Sequence, residues 1–153
     1  MPLVLLPFFM PFLAADLSYP VMCFSRGHQI LHYARHADEL MVCRAKALNS
    51  GFYQHMEIVD RNAQRFGVQA AEKITPVGPF WGFNLLGGQT LRVALALEPL
   101  PPYSLEVLKQ RVVQAMDGMK ALDGHPETKS LVRATSSWSD LVAQLADDYY
   151  RRY

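Results

Sequence analysis

Apolar and polar residues alternate most regularly over residues 91–97, where leucine or valine occupies every second position. A period of two is typical of a strand with one buried face, and Pro99, Pro101 and Pro102 are expected to end this strand. Two shorter apolar runs, 20–24 and 29–33, flank Gly27 and predict a β-hairpin. Apolar residues at helical spacing also cross the second run, which therefore has a helical alternative.

A second pair of strands is predicted over residues 52–59 and 64–70, on either side of a polar turn. The segment that follows, 75–90, contains two prolines, four glycines and a cluster of aromatic residues. Aromatic rings carry a large apolar area, so we expect an ordered loop that buries its rings rather than a flexible linker. The aromatic residues expected to be buried here, or where the last helix closes over the sheet, are Phe80, Trp81, Phe83 and Trp138.

Three segments show the spacing of amphipathic helices, at about 38–50, 104–119 and 128–149. The first is expected to end at Gly51, which suits a glycine C-cap. The third is expected to be in two pieces, because residues 137–140 have the spacing of a capping box. Strands come first and helices collect at the end, which predicts a single α+β domain with an antiparallel sheet of about five strands.

Composition agrees with one compact domain and excludes two classes of protein. Of the 153 residues, 50% are hydrophobic and 19% are charged, which excludes a disordered chain. Lys and Arg total 15 and Asp and Glu total 14, so the formal net charge is only +1. Proteins that grip nucleic acid through its phosphates carry a basic excess, and nucleic acid is therefore not an expected partner.

The first fifteen residues are almost wholly apolar and resemble the hydrophobic region of a signal peptide. No Lys or Arg precedes them, although signal peptides normally begin with positive charge, and their three prolines disfavour a helix. The run is also shorter than the about 20 residues that a helix needs to span a bilayer. We therefore predict an uncleaved apolar extension, residues 1–19, packed on a domain of residues 20–153 in a cytoplasmic protein without membrane partners.

Two sets of residues leave alternatives open. The histidines His28, His32 and His36 are four residues apart, and on one helix they would form a row able to bind zinc or copper. If the hairpin forms instead, His28 and His32 lie on a strand and His36 lies in a loop, so no metal site is expected. Cys23 and Cys43 are expected to be free thiols in the cytoplasm, whereas a periplasmic domain would allow a Cys23–Cys43 disulfide.

No segment carries a catalytic signature, and we therefore expect neither enzymatic activity nor a cofactor. Nucleophilic catalysis needs a Ser or Cys beside a His and an acid. Cys43, His55 and Asp60 supply these residue types, but Cys43 falls on the apolar side of its predicted helix and is expected to be a buried thiol. The pair Gly87 and Gly88 precedes a strand, whereas phosphate loops lie between a strand and a helix.

The C-terminal residues are the candidate partner-binding site. Tyrosine and arginine are enriched at the energetic centres of protein interfaces. An alternative is that the arginines only complement the dipole at the end of the last helix. The residues concerned are Tyr150, Arg151, Arg152 and Tyr153.

Several segments together form a pattern of apolar, turn and aromatic positions over about residues 20–146. This pattern resembles that of small bacterial immunity proteins, which are encoded beside polymorphic or contact-dependent toxins. Residues 1–19 depart from the pattern. The segments that carry the resemblance are 23–32 (CFSRGHQILH), 38–40 (DEL), 48–53 (LNSGFY), 58–60 (IVD), 80–84 (FWGFN), 91–97 (LRVALAL), 134–137 (ATSS) and 141–145 (LVAQL).

The resemblance implies a non-catalytic protein that binds and neutralises a cognate toxin domain by occluding it. It also implies that the toxin is encoded by an adjacent gene. A metal-binding protein that uses the histidine row, or a periplasmic protein with the disulfide, would act differently, and both stay as alternatives.

Overall fold

The alternating segment at residues 91–97 forms the centre of a long strand, and most of the sheet is built along it. The computed structural model describes residues 12–25, 30–85, 87–118 and 126–152. In this part of the chain, eight strands form one antiparallel sheet. The strands are β1 Phe12–Leu13, β2 Val21–Ser25, β3 Ile30–Ala34, β4 Val42–Arg44, β5 Glu57–Val59, β6 Arg65–Pro76, β7 Phe83–Asn84 and β8 Gly88–Leu100.

The strands follow the spatial order β1-β8-β6-β5-β2-β3, and β4 and β7 also pair with β8. Strands β2 and β3 form the predicted hairpin, with Val21 opposite Ala34 and Ser25 opposite Ile30. Its turn, which includes Gly27, lies outside the described residues. The helical alternative for the second run is therefore wrong.

Five helices complete the described fold, so the α+β class is confirmed, although about five strands was too low a number. The predicted division of the last helical region is also confirmed, since the amide of Asp140 donates to Ser137 Oγ at 3.3 Å and α5 begins between them. The helices are α1 Ala37–Met41, α2 Ala45–Asn49, α3 Leu105–Gly118, α4 Pro126–Ala134 and α5 Trp138–Arg152.

The hydrophobic core occupies both faces of the sheet. All five residues of β2 are buried, because Met22 and Phe24 contact the layer of helices α3 to α5, while Val21 and Cys23 face the opposite side. That opposite side is covered by α1, the turn after α2 and the segment that follows β1. Trp138 lies in the helical layer, as predicted, and its Nε1 donates to Asp60 O at 2.9 Å.

The single helix predicted over 38–50 is wrong in its middle. Residues 42–44 form β4, which pairs with the edge of β8 and places Cys43 opposite Leu91. Pairing with β8 outweighs the weak helix preference of Val42 and Cys43. The end of the segment follows the prediction, because Gly51 has φ +78° and its amide donates to Leu48 O at 3.1 Å, as in a Schellman cap.

The predicted start of the strand over residues 52–59 is also wrong. Residues 52–55 form a turn, because the chain leaves the α2 cap at Gly51 and continues through His55 at φ 58° before β5 begins. Strand β8 ends at Leu100, among the prolines predicted to end it, although Pro99 itself pairs with Phe66 inside the strand. A proline ring fits extended backbone, so Pro99 removes one donor without stopping the strand.

The end of the apolar extension is part of the domain. Phe12 and Leu13 pair with Leu97 and Ala96 of β8, and Ala14 and Leu17 are buried in the core. Residues 1–11 lie outside the described part of the chain. Among the helices described, none is long and apolar enough to cross a membrane.

Candidate functional site

Four of the eight exposed large apolar side chains of the described residues, among them the three most exposed, lie in one segment, residues 77–85, which we call the aromatic loop. Phe80 and Trp81 are each 79% exposed, Phe83 is 58% exposed and Leu85 is fully exposed. The prediction that Phe80, Trp81 and Phe83 are buried is therefore wrong. Contiguous apolar exposure of this kind marks interaction sites on soluble proteins.

The backbone of the aromatic loop explains why the rings point away from the sheet. Gly82 is buried at φ +79°, and a Cβ atom there would lie 2.4 Å from Thr90 O of β8. Only glycine allows this close approach, and the space beneath the loop is filled by backbone rather than by side chains. The amide of Val77 donates to the same Thr90 O at 3.0 Å, which holds the start of the loop on β8.

Two consecutive aromatic residues of the loop have strained backbone. Phe80 has φ 55° and Trp81 has φ 53°, in the left-handed region that disfavours residues with a side chain by about 1–2 kcal/mol each. Two hydrogen bonds maintain this conformation: Gly82 N donates to Pro79 O at 3.2 Å, and Gln89 Nε2 donates to Trp81 O at 3.0 Å. Strain of this kind clusters at binding sites, where surrounding structure holds it.

The base of the loop is also tied to β4. Arg44 Nη1 donates to Gly87 O at 2.5 Å, so the strand that was predicted to be helix holds the far end of the loop. The aromatic loop is thus a fixed projection, presented by β8 on one side and by β4 on the other. It offers binding surface and no group with acid, base or nucleophilic chemistry.

The histidine row is divided in the structure. His32 lies on β3 opposite Cys23, and its ring packs edge-on against Phe52 with a centroid distance of 5.0 Å. His36 is the residue before α1, with Nε2 3.4 Å from Glu39 Oε1. His28 lies outside the described residues. Within the described ranges, no three His, Cys, Asp or Glu side chains are grouped so that they could hold a metal ion.

Cys23 and Cys43 are free thiols that line one cavity of about 370 Å³ together with His32 and Tyr53. Burial raises the pKa of Cys23 to about 12, and burial also raises the pKa of Cys43. Tyr53 Oη donates to Leu40 O at 2.8 Å, which fixes the ring in the core. Because thiolates are the reactive form, both thiols are poor nucleophiles.

The remaining members of the Cys43, His55 and Asp60 trio have structural roles. Asp60 Oδ1 accepts the amides of Asn62 at 2.9 Å and Gln64 at 3.0 Å, and so closes the turn between β5 and β6. His55 lies in the turn before β5. Gly87 and Gly88 lie where β7 turns into β8, a hairpin that has no helix N-terminus for a phosphate.

A second arrangement that sequence analysis missed is a buried ionic cluster. Glu57 accepts hydrogen bonds from Arg65 Nε at 2.9 Å and from Arg111 Nη1 at 2.5 Å, and the two guanidinium groups pack on the ring of Tyr103. Burial alone would raise the pKa of Glu57, but the hydrogen bonds and charges of Arg65 and Arg111 outweigh it and lower the pKa. These side chains are 8%, 8% and 14% exposed, so the cluster stabilises the fold rather than binding a ligand.

The C-terminal candidates lie at the end of the last helix. The backbone of residues 150–152 continues helix α5, but the side chains of Tyr150, Arg151 and Arg152 lie outside the described part, as does the whole of Tyr153. Among the described residues, those of the aromatic loop form the candidate binding surface. The sequence shows this surface as a high density of aromatic residues between glycines. We interpreted those residues as part of the hydrophobic core.

Comparison of the chain with models of protein families, with curated proteins and with solved structures finds no match.

Proposed function

We propose that this chain is a non-catalytic, cytoplasmic immunity protein that binds and neutralises a cognate bacterial toxin domain, with the aromatic loop as the anchor of the complex. The observation that carries the proposal is the exposure of Phe80 and Trp81 on strained backbone. An exposed ring does not stabilise the fold by burial, and the strained backbone lowers the stability of the fold further. Burial against a partner explains both features together.

The energetics fit such a partner. A protein that restrains a lethal enzyme needs nanomolar affinity or tighter, which corresponds to about −12 kcal/mol. An interface of about 1,600 Å² reaches this value when a few anchors are fully buried on binding. With a net charge of +1, the chain has little long-range attraction to offer, so the anchors should be aromatic.

The identity of the partner class comes from the resemblance to immunity proteins, which supports a toxin encoded by an adjacent gene. The described residues add two observations that agree with binding rather than catalysis. The thiols have raised pKa values, and the charged cluster around Glu57 is shielded from solvent. We propose the C-terminal residues Tyr150, Arg151, Arg152 and Tyr153 as a second contact with the same toxin.

The test is to titrate the protein with an inactivated form of the toxin domain from the adjacent gene and to measure affinity by calorimetry. Phe80→Ala and Trp81→Ala should each weaken binding by about 30-fold or more, equivalent to about 2 kcal/mol, with unchanged melting temperature. Leu13→Ala is the matched control, because Leu13 is an exposed apolar residue on β1, away from the loop. Its affinity should stay that of the unmodified protein.

Three results would count against the proposal at different levels. Failure of the intact protein to bind removes the immunity function for that pair of genes. Full affinity in both loop variants removes the aromatic loop from the interface. Deletion of residues 150–153 without loss of affinity removes the C-terminal residues.

A further inference from the structure

Strand β6 is paired along its whole length on only one of its two edges. On one edge it pairs with β8 from Arg65 opposite Leu100 to Pro76 opposite Leu91. On the other edge β5 pairs only with residues 65–67, and the last hydrogen bond is from Val68 N to Met56 O at 2.9 Å. No strand in the described part of the chain pairs with residues 69–75 on this edge, which we call the open edge.

The chemistry of the open edge restricts what can bind there. In an antiparallel strand, alternate residues direct their N–H and C=O groups to opposite edges, so the open edge presents backbone donors and acceptors, most regularly over residues 70–73 between two register shifts. Another extended chain is the ligand that satisfies such donors and acceptors. Two of the seven residues, Ala70 and Ala71, have only a methyl side chain.

A groove lies beside the start of the open edge, where β5 has ended. It has a volume of about 360 Å³ and lies between residues 68–71 of β6 and the turn after α2. Leu48, Tyr53 and Val68 contribute apolar walls, and Gln54 and His55 contribute polar groups. A strand added to the open edge would occupy the position that β5 leaves, with side chains directed into this groove.

Charge disfavours the register in which a second copy of this chain would pair with the whole open edge. In a symmetric antiparallel pair the two-fold axis passes midway between a residue and its own copy. A register centred on Glu72 or Lys73 therefore places like charges directly opposite each other, which is destabilising. The strand also has register shifts between Val68 and Ala70 and between Lys73 and Thr75, so an added strand would pair most regularly with residues 70–73.

We infer that the open edge binds an extended segment of the toxin as an additional strand of the sheet. This inference rests on the proposed function and specifies how the partner is recognised. The open edge ends at Thr75, and the aromatic loop begins two residues later at Val77, so one partner segment can follow both. Opposite Glu72 and Lys73, the partner strand should carry a cation and an anion respectively.

Hydrogen exchange of the intact protein, followed residue by residue by NMR, tests this inference with the inactivated toxin domain. Alternate amides within residues 69–75 should exchange rapidly in the free protein and at least tenfold more slowly in the complex. Amides of β6 that already bond to β8 are the internal control. Protection that grows with protein concentration in the absence of toxin would instead identify a second copy as the occupant and overturn the inference.

Two proline variants provide an independent readout. Ala70 and Ala71 are opposite Ala96 and Leu95, and as neighbours they direct their amides to opposite edges. Only one of Ala70→Pro and Ala71→Pro therefore removes a bond to β8, and the other should fold while losing toxin affinity more than tenfold. Tight binding with unprotected open-edge amides refutes the added strand but leaves the proposed function standing, whereas absence of binding by the intact protein refutes both.

Discussion

Replacing Glu57 by glutamine should destabilise the fold strongly, although the two side chains have nearly the same shape. The carboxylate accepts hydrogen bonds from Arg65 on both oxygens, at 2.9 and 3.1 Å, and a third from Arg111. A glutamine amide would direct its own N–H donors at one of these guanidinium groups. It would also leave two buried positive charges without their carboxylate.

The magnitude follows from the burial of the three groups. Removal of one partner from a buried ion pair destabilises proteins by about 3–5 kcal/mol, because an uncompensated charge stays behind. Surface pairs contribute far less, since water and salt screen them. With Glu57 and Arg65 each only 8% exposed, we expect Glu57→Gln to fall in the range for buried pairs.

Urea denaturation at neutral pH measures the free energy of unfolding directly. Asp38→Asn is the matched control, because Asp38 also pairs with an arginine, Arg92, at 2.7 Å but is mostly exposed. The control should unfold at the same urea concentration as the unmodified protein. A Glu57→Gln variant that matched the control would refute the reasoning that this cluster supports the fold.

The same cluster gives a pH dependence with a definite sign. Arginine contacts lower the pKa of Glu57 in the folded protein, so the folded state binds fewer protons than the unfolded state in acid. Its contribution is complete above the unfolded pKa of about 4.3 and is lost as the pH falls through the lower folded value. Glu57→Gln should therefore show a flatter loss of stability in this acid range than the unmodified protein.

Two further predictions concern the tryptophans, which have opposite environments. Trp138→Ala should lower the free energy of unfolding by about 3–5 kcal/mol, because it empties a buried site and removes the hydrogen bond to Asp60 O. Urea denaturation measures this loss, and a value below about 1 kcal/mol would contradict the packing of Trp138. Trp81→Gly should leave the melting temperature unchanged or raise it. Glycine adopts the left-handed backbone of residue 81 without the strain of about 1–2 kcal/mol, and this gain offsets the greater entropy that glycine has in the unfolded chain. A fall of more than about 4 °C would show that the ring of Trp81 supports the fold.

Local patterns predicted the elements that depend on local chemistry. The alternation at residues 91–97 identified β8, whose valine and leucine side chains are buried as expected. Ser137 and Gly51 marked helix ends correctly, because a cap needs only its own neighbouring amides and carbonyls. The hairpin of β2 and β3 followed from two apolar runs close together in the chain.

Elements that depend on distant partners could not be predicted in the same way. Val42 and Cys43 are compatible with a helix, and only the edge of β8 makes them a strand. The rings of Phe80 and Trp81 were expected in the core because apolar area usually indicates burial. Their exposure depends on a contact between Gly82 and the backbone of β8, and the pattern of the loop contains no trace of that contact.

The central position of β8 also determines when this sheet can form. β8 pairs with β1, β4, β6 and β7, and residue 12 meets residue 97, which follows it by 85 residues. At translation rates of about 5–20 residues per second, β1 leaves the ribosome roughly 4–17 seconds before β8 does. Until β8 has left the ribosome, β4 and β6 lack the strand with which they pair. Contacts between residues so distant in sequence also slow folding. Nascent chains that stop before β8 should therefore stay unfolded and depend on chaperones.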